Sequence, residues 1–405
     1  MRTIILSIRG LYREPHTIRN VIPFLSVAFV LAIVSMLVAN RVDNAILAAI
    51  MEVSWIFPAF AFLAFRHGDV VLRCRLLRLC RSFKLHGYDD RRPRLLRRDN
   101  VNECLERFRF RSCIPTIEWE RRLPQLEMLF QSKIHKVKTS AANIRIIDLY
   151  VVKKDLPKLI AWDDSYILDG RKFAVGEGFE GKVIWDAAEM PHGMVAGTSG
   201  AGKSATIRCL CYQATRKGFN VCILDFKGGG DFAGFDGTII SEPEAARDVL
   251  VSLLAEVRAR MAAFRAAGVS NIDEHNALGR ELRTPWLFVV DEAAEVFDVK
   301  PRDKDEKELY AEIDKTLRTL ARMSRAAGVH LLLGIIRPDA DVIAGQIKNN
   351  LLWRACGYFA DPAASRIVLD SDKATTLPPD VKGRFIVGDQ EVQTYYFPVP
   401  KTAGN

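Results

Sequence analysis

Paired cysteines are missing from this chain. Its eight cysteines, at 74, 80, 104, 113, 209, 211, 222 and 356, form no C-x-x-C pair and no spacing that would gather metal ligands. That excludes a zinc module and a disulfide framework, and leaves free thiols in a reducing compartment. Charge is absent from one long stretch as well. The twenty residues from Val21 to Asn40 carry none, the length that crosses a bilayer core as a helix. A polar turn, Arg41-Val42-Asp43, leads to a second apolar run over 44–65 whose single charge is Glu52. Arginines lie on both sides of the pair, at Arg2, Arg9, Arg13 and Arg19 before it and from Arg66 after it. Both flanks can be on the inner side only if 21–40 and 44–65 form a hairpin, with 1–20 and the remainder of the chain cytoplasmic. Glu52 then lies within lipid, as a functional carboxylate or as a contact between subunits of a ring.

The net charge of +9 is unevenly placed. The segment from Arg66 to Arg98 alone carries +8, so 66–103 reads as a basic juxtamembrane segment. Anionic lipid of the inner membrane and a DNA backbone are both suitable partners. From 104 to 185 short β-like runs (144–152, 172–175, 182–185) alternate with polar turns, which suggests a small β-containing adaptor without visible chemistry.

Beyond Met190 the pattern changes to strands alternating with helices, an α/β signature with a parallel sheet. The strand Met194-Val195-Ala196 feeds Gly197-Thr198-Ser199-Gly200-Ala201-Gly202-Lys203-Ser204, which fits G-x-x-x-x-G-K-[ST]. Glycines let backbone N–H groups turn toward a polyphosphate, Lys203 reaches the β/γ oxygens, and Ser204 ligates Mg²⁺. ATP with Mg²⁺ is the expected ligand. A cleaved secretory signal would carry this loop away from ATP, so the apolar hairpin is an anchor rather than a leader. Further along, 221–224 reads as a buried strand and Ser241-x-x-Glu244 as a capping box opening a helix that stops at Gly268. A strand over 286–290, a helix over 303–327 closed by Gly328, and a strand over 329–333 follow. Asp291 and Glu292 stand at the end of 286–290: Asp291 is placed to hold the metal, Glu292 to deprotonate the attacking water. Arg337, Arg354 and Arg366 are candidates for a finger supplied to a neighbouring subunit.

Several motifs in order carry a family resemblance: Met190 to Ser204, Asp225-Phe226-Lys227, Val289 to Glu292, and Ser324 to Leu333 followed by Arg337-Pro338. The stretch with Asp341, Gly345, Lys348, Asn350, Arg354, Ser365-Arg366 and Asp370 continues it. Over about 185–390 the chain resembles the motor of the FtsK/SpoIIIE family of DNA translocases. The resemblance implies a RecA-like P-loop NTPase over 186–405, a homo-hexamer, double-stranded DNA as cargo, and tethering to the bacterial inner membrane. Two membrane helices plus one motor look most like the coupling proteins of conjugative plasmids and integrative elements, whose partners are a relaxase and transfer-channel proteins. A type VII-like protein exporter and an ATP-binding scaffold with weak hydrolysis are the alternatives. Two departures stand out. Ile335-Ile336 replaces the family's Thr-Gln, so a polar sensor is missing and hydrolysis or its coupling is put in question. An orientation-reading winged-helix domain after the motor is not expected. The DNA-contacting loops expected are 228–232, 297–306 with Lys300, Arg302 and Lys304, and 339–350.

Overall fold

The computed structural model describes residues 93–399 except 229, 280 and 340–344, together with a few positions between 30 and 56. Most of the hairpin expected at 21–65, residues 1–20 and most of the basic segment lie outside the described residues. Among those described, no helix is long and apolar enough to cross a membrane.

Two compact units divide at Lys153/Lys154. The first is a four-stranded antiparallel sheet with two helices. Its elements are β1 (Arg94–Asn100), β2 (Leu105–Arg111), α1 (Thr116–Glu120), α2 (Leu123–Phe130), β3 (Ile134–Ser140) and β4 (Asn143–Val152), with strand order β1-β2-β4-β3. Alternation decides its faces. Phe108 and Phe110 of β2, with Ile147, Leu149 and Val151 of β4, point toward Trp119 and Leu126 of the helices and form the core.

The second unit is built on one large sheet. Its elements begin with β5 (Ile160–Ala161), β6 (Lys172–Gly178), β7 (Gly181–Asp186), β8 (His192–Ala196), α3 (Lys203–Arg216), β9 (Asn220–Leu224), β10 (Thr238–Ile240) and α4 (Pro243–Ala267). They continue with α5 (Ile272–Ala277), β11 (Trp286–Val290), α6 (Ala294–Phe297), α7 (Lys304–Met323) and β12 (Val329–Ile335). The last are α8 (Gly345–Lys348), β13 (Leu351–Gly357), α9 (Pro362–Leu369), β14 (Arg384–Val387) and β15 (Gln390–Tyr396). The order is β10-β9-β11-β12-β8-β13-β14-β15-β6-β7, with β5 pairing β15. From β10 to β13 all neighbours are parallel; from β13 to β7 all are antiparallel. The central parallel strands β8 and β12 are buried end to end because helices pack on both faces of the sheet. Residues of α4 and α7, such as Leu253, Val257, Ile313 and Leu317, pack on one face. Ile207, Leu210 and Ala214 of α3 pack on the other, with Trp185 and Trp353.

This topology corrects several expected boundaries. The adaptor does not extend to 185: β6 and β7 are the outer strands of the motor sheet, joined to it by β15 more than two hundred residues later. The basic segment does not stop before the adaptor either, since Arg94, Arg97 and Arg98 lie within β1. The capping box at Ser241 is not formed: Glu242 is the cap residue of α4, makes no side-chain cap, and Pro243 takes the first helical position. Gly268 does end that helix, in the left-handed conformation. The helix expected over 303–327 ends at Met323, where the Ser324 hydroxyl donates to the carbonyl of Val329 at 3.0 Å and turns the chain. The described cysteines are free, and burial pushes the thiols of Cys209, Cys222 and Cys356 up to about 12, as expected of inert core residues.

Two buried histidines near the start of β8 and β12 make a pH prediction. His192 Nδ1 accepts the Leu331 N–H at 3.0 Å, and His330 Nδ1 lies 3.0 Å from the Pro191 carbonyl, to which it donates. Burial pushes them down to about 4 and about 3 respectively. Both stay neutral in the fold, whereas the unfolded chain takes up the two protons near 6.5. Their contribution is therefore complete above about pH 6.5 and is lost as pH falls, by up to about 1.4 kcal/mol per pH unit for each histidine. The urea midpoint should drop between about pH 7 and pH 5. A midpoint that stays constant over that interval contradicts this account.

Candidate ATP site and its flanking loops

The phosphate loop leaves β8 and enters α3, so it lies against the positive end of a 14-residue helix. The loop is held from below. Gly197 N–H donates to the Ile335 carbonyl at 3.0 Å, Ala201 N–H to Thr198 O at 3.0 Å, and the Thr198 hydroxyl to Tyr358 O at 3.3 Å. Gly202 has φ +104, and a Cβ there would lie 2.7 Å from Gly383 N, so a side chain is excluded twice. That approach comes from the segment before β14, which also gives Gly383 N–H to Ala201 O at 2.7 Å. A cavity of about 230 Å³ adjoins the loop, bounded by Thr198, Ser199, Tyr358, Pro379, Val381 and Lys382 among others.

Lys203 is 6% exposed. Its ammonium donates to the backbone carbonyl of Asp291 and to Asp291 Oδ1 at 3.1 Å, and lies 3.9 Å from Glu292 Oε2. The parallel pairing of β9, β11, β12 and β8 brings these groups together, because all four strands end on one side. Asp225 directly follows β9, and burial, aided by the nearby Asp291 charge, raises its carboxyl above the usual range. Burial likewise raises Glu295, partly offset by Lys227 at 3.5 Å.

Glu292 is buried and its two oxygens differ. Oε1 accepts the Ile336 N–H at 3.2 Å; Oε2 has no hydrogen-bond partner among the described residues and lies 3.6 Å from the ammonium of Lys227. A buried carboxylate oxygen left open in this way is free to accept a proton from a water, and the two nearby cations favour its ionised form. Ile335, meanwhile, is fully buried in the core and carries the Gly197 bond. The two isoleucines thus serve the site through their backbone, one supporting the loop and the other orienting the carboxylate. Lys227 was legible in the sequence only as part of a motif; its approach to Glu292 and Glu295 depends on the β9–β11 pairing.

The residues suit Mg²⁺. Ser204 at the helix start and Asp291 at the strand end are hard oxygen donors, and Mg²⁺ in such sites takes one or two protein oxygens, with phosphates and water completing the shell. Among the described residues no group of three or more His, Cys, Asp or Glu could hold a metal without such help.

The arginine candidates separate. Arg354, on β13, is engaged within its own chain, donating to Leu351 O at 3.0 Å, Val368 O at 3.1 Å, Lys348 O at 3.3 Å and Asp370 Oδ2 at 2.7 Å. Arg366, on α9, is 63% exposed, with Asp372 at 3.6 Å as its one ion-pair partner among the described residues. Arg337 is exposed. Of the expected DNA loops, residues 229 and 340–344 lie outside the described residues; Lys300, Arg302 and Lys304 are exposed.

The FtsK/SpoIIIE family pattern matches residues 169–340. A solved structure of the pCW3 conjugation coupling protein TcpA, in monomer form with ATPγS, is 34% identical with a TM-score of 0.61, covering 81% of this chain and 95% of that one. The chain belongs to the FtsK/SpoIIIE family. Among curated relatives, DNA translocase FtsK of Streptomyces coelicolor is 31% identical over 238 residues, 53% of this chain and 25% of the relative. DNA translocase SftA of Bacillus subtilis is 31% identical over 203 residues, 46% of this chain and 20% of the relative. The chain spans between a fifth and a third of the length of the curated relatives it matches. As an FtsK/SpoIIIE motor it has the expected mixed α/β nucleotide-binding fold with a mostly parallel central sheet.

Proposed function

We propose that this protein is an ATP-driven double-stranded DNA translocase, anchored in the bacterial inner membrane by residues 21–65 and acting as a coupling protein in conjugative transfer. The observation that carries this reading is the extent of the match to TcpA. It covers 81% of this chain, more than residues 154–405 alone, so the first unit takes part in the resemblance. A hexameric ring with a relaxase and channel proteins as partners accords with it.

Bound ATP supplies the phosphoryl group whose transfer to water drives movement. The loop N–H groups and the α3 dipole bind its phosphates, with Lys203 exchanging part of its hold on Asp291 for phosphate oxygens. Ser204 and Asp291 would hold Mg²⁺, which would offset the negative charge of the phosphates; Glu292 Oε2 takes the proton of the attacking water while Ile336 N–H fixes the carboxylate through Oε1. Arg366, exposed on α9, is available to a neighbouring subunit.

The test uses the full chain in detergent, with ATP turnover measured with and without duplex DNA and displacement of a triplex-forming oligonucleotide as the readout of movement. Turnover should rise with duplex and displacement should require ATP. ATP turnover indifferent to DNA overturns the reading and favours a protein-exporting motor. ATP bound tightly and never turned over leaves only a scaffold.

A further inference from the structure

In the first unit α1 and α2 cover one face of the sheet. Thr116 of α1 meets Thr139 of β3, Glu127 of α2 accepts the Ile134 N–H at 3.0 Å, and Trp119 and Leu126 lie in the core. Within this unit no described helix covers the opposite face. The register gives its residues: Arg94 faces Arg111, Arg97 faces Arg109, Asp99 faces Arg107 across β1–β2, and Arg107, Arg109 and Arg111 face Tyr150, Asp148 and Ile146 of β4. Lys136 and Lys138 of β3 face Tyr150 and Asp148 from the other side. Seven basic side chains from three strands thus share a face with two carboxylates.

Both carboxylates are already engaged. Asp148 is held by both ends of the Arg109 guanidinium at 2.7 Å, and Asp99 pairs with Arg97 and Arg107. These pairs fix the orientation of three arginines and leave the face with a surplus of positive charge. Arg94, Arg111 and Lys138 are exposed and make no ion pair among the described residues. Lys136 lies over the Tyr150 ring at 4.8 Å near the middle.

We infer that this face of the first unit binds the phosphate backbone of the DNA cargo. The inference rests on the reading of DNA as cargo. Charge complementarity favours a linear polyanion over a lipid surface. Arg107, Arg109 and Arg111 recur along one strand at roughly 6.8 Å intervals, as a strand dictates, which makes a directional track rather than a diffuse basic patch. Five of the seven groups are arginine, whose planar fork grips a phosphate by two parallel hydrogen bonds. The β2 sequence Leu105-Glu-Arg-Phe-Arg-Phe-Arg111 shows the device directly: phenylalanines go to the core and arginines to the track.

The test neutralises the three groups whose removal leaves no carboxylate unpaired, Arg94→Gln, Arg111→Gln and Lys138→Gln together, in the full chain. Duplex affinity is measured over a range of salt, ATP turnover without DNA serves as the control for folding, and Arg111→Lys as the charge-retaining variant. Expected are weaker DNA binding and a salt dependence shallower by about 0.9 in log–log slope for each phosphate that is no longer neutralised, with turnover without DNA unchanged and Arg111→Lys like wild type. A triple variant with wild-type affinity and slope overturns the inference while leaving the cargo reading intact. Wild-type protein that does not bind duplex at all overturns both. Weaker retention by phosphatidylserine-doped micelles with unchanged DNA affinity overturns it in favour of a membrane-facing role.

Discussion

Glu292→Gln should abolish most ATP turnover, by about 10²- to 10⁴-fold, while leaving ATP binding in place. The asymmetry of the carboxylate makes this substitution informative. The amide oxygen of glutamine can still accept the Ile336 N–H that Oε1 accepts now, so the side chain keeps its position. What disappears is the carboxylate oxygen Oε2, which has no hydrogen-bond partner among the described residues and faces the ammonium groups of Lys203 and Lys227. The check pairs steady-state turnover with binding of a fluorescent ATP analogue. Turnover equal to wild type would remove Glu292 from the chemistry; absence of binding would mean that its role is to shape the site instead.

A single methyl group added at Gly334 should be nearly as damaging. A Cβ there would lie 1.9 Å from the carbonyl oxygen of Asp291 and 2.9 Å from the ammonium of Lys203. Neither neighbour can withdraw cheaply. The Asp291 carbonyl is held by Lys203, and the Gly334 carbonyl accepts the Ala293 N–H at 2.8 Å, so the ends of β11 and β12 are stitched together around this point. Gly334→Ala must therefore force the strand ends apart. We expect a stability decrease at the upper end of, or beyond, the roughly 1–3 kcal/mol usual for overpacking, together with loss of turnover, because Lys203 and Asp291 move with the strands. Gly230→Ala is the control for stability: no described residue lies within 4 Å of its Cβ position. Denaturant midpoints of the two variants decide the matter, and equal midpoints would refute the steric account.

The sequence showed most clearly what local spacing encodes. The phosphate loop, the strand before it and the acidic pair are contiguous patterns, and the structure brings Lys203, Asp291 and Glu292 within reach of one another as strand order requires. It was least clear where partners are remote. Residues 172–185 have strand character, but their place at the outer edge of the motor sheet follows from pairing with β15, which no local pattern reveals. Ile335-Ile336 is opaque for another reason. Sequence displays side chains, whereas the polar group that reaches Glu292 here is the backbone N–H of Ile336. At Ser241 the competing signal was Pro243, whose fixed φ sets the helix start and leaves Glu242 at the boundary.

The bond between Gly383 and the phosphate loop has a consequence for biosynthesis. Gly383 N–H bonds Ala201 O at 2.7 Å, and Thr394 Oγ1 meets Thr206 Oγ1 at 3.0 Å on the first turn of α3. The loop leaves the ribosome well ahead of the strands that brace it, by some 190 residues between Ser204 and Thr394. At roughly 5–20 residues per second, that is a delay of about 10–40 s. A nascent chain therefore carries its nucleotide cradle unbraced until translation is nearly past the motor. Completion of the ATP site is timed to completion of the fold.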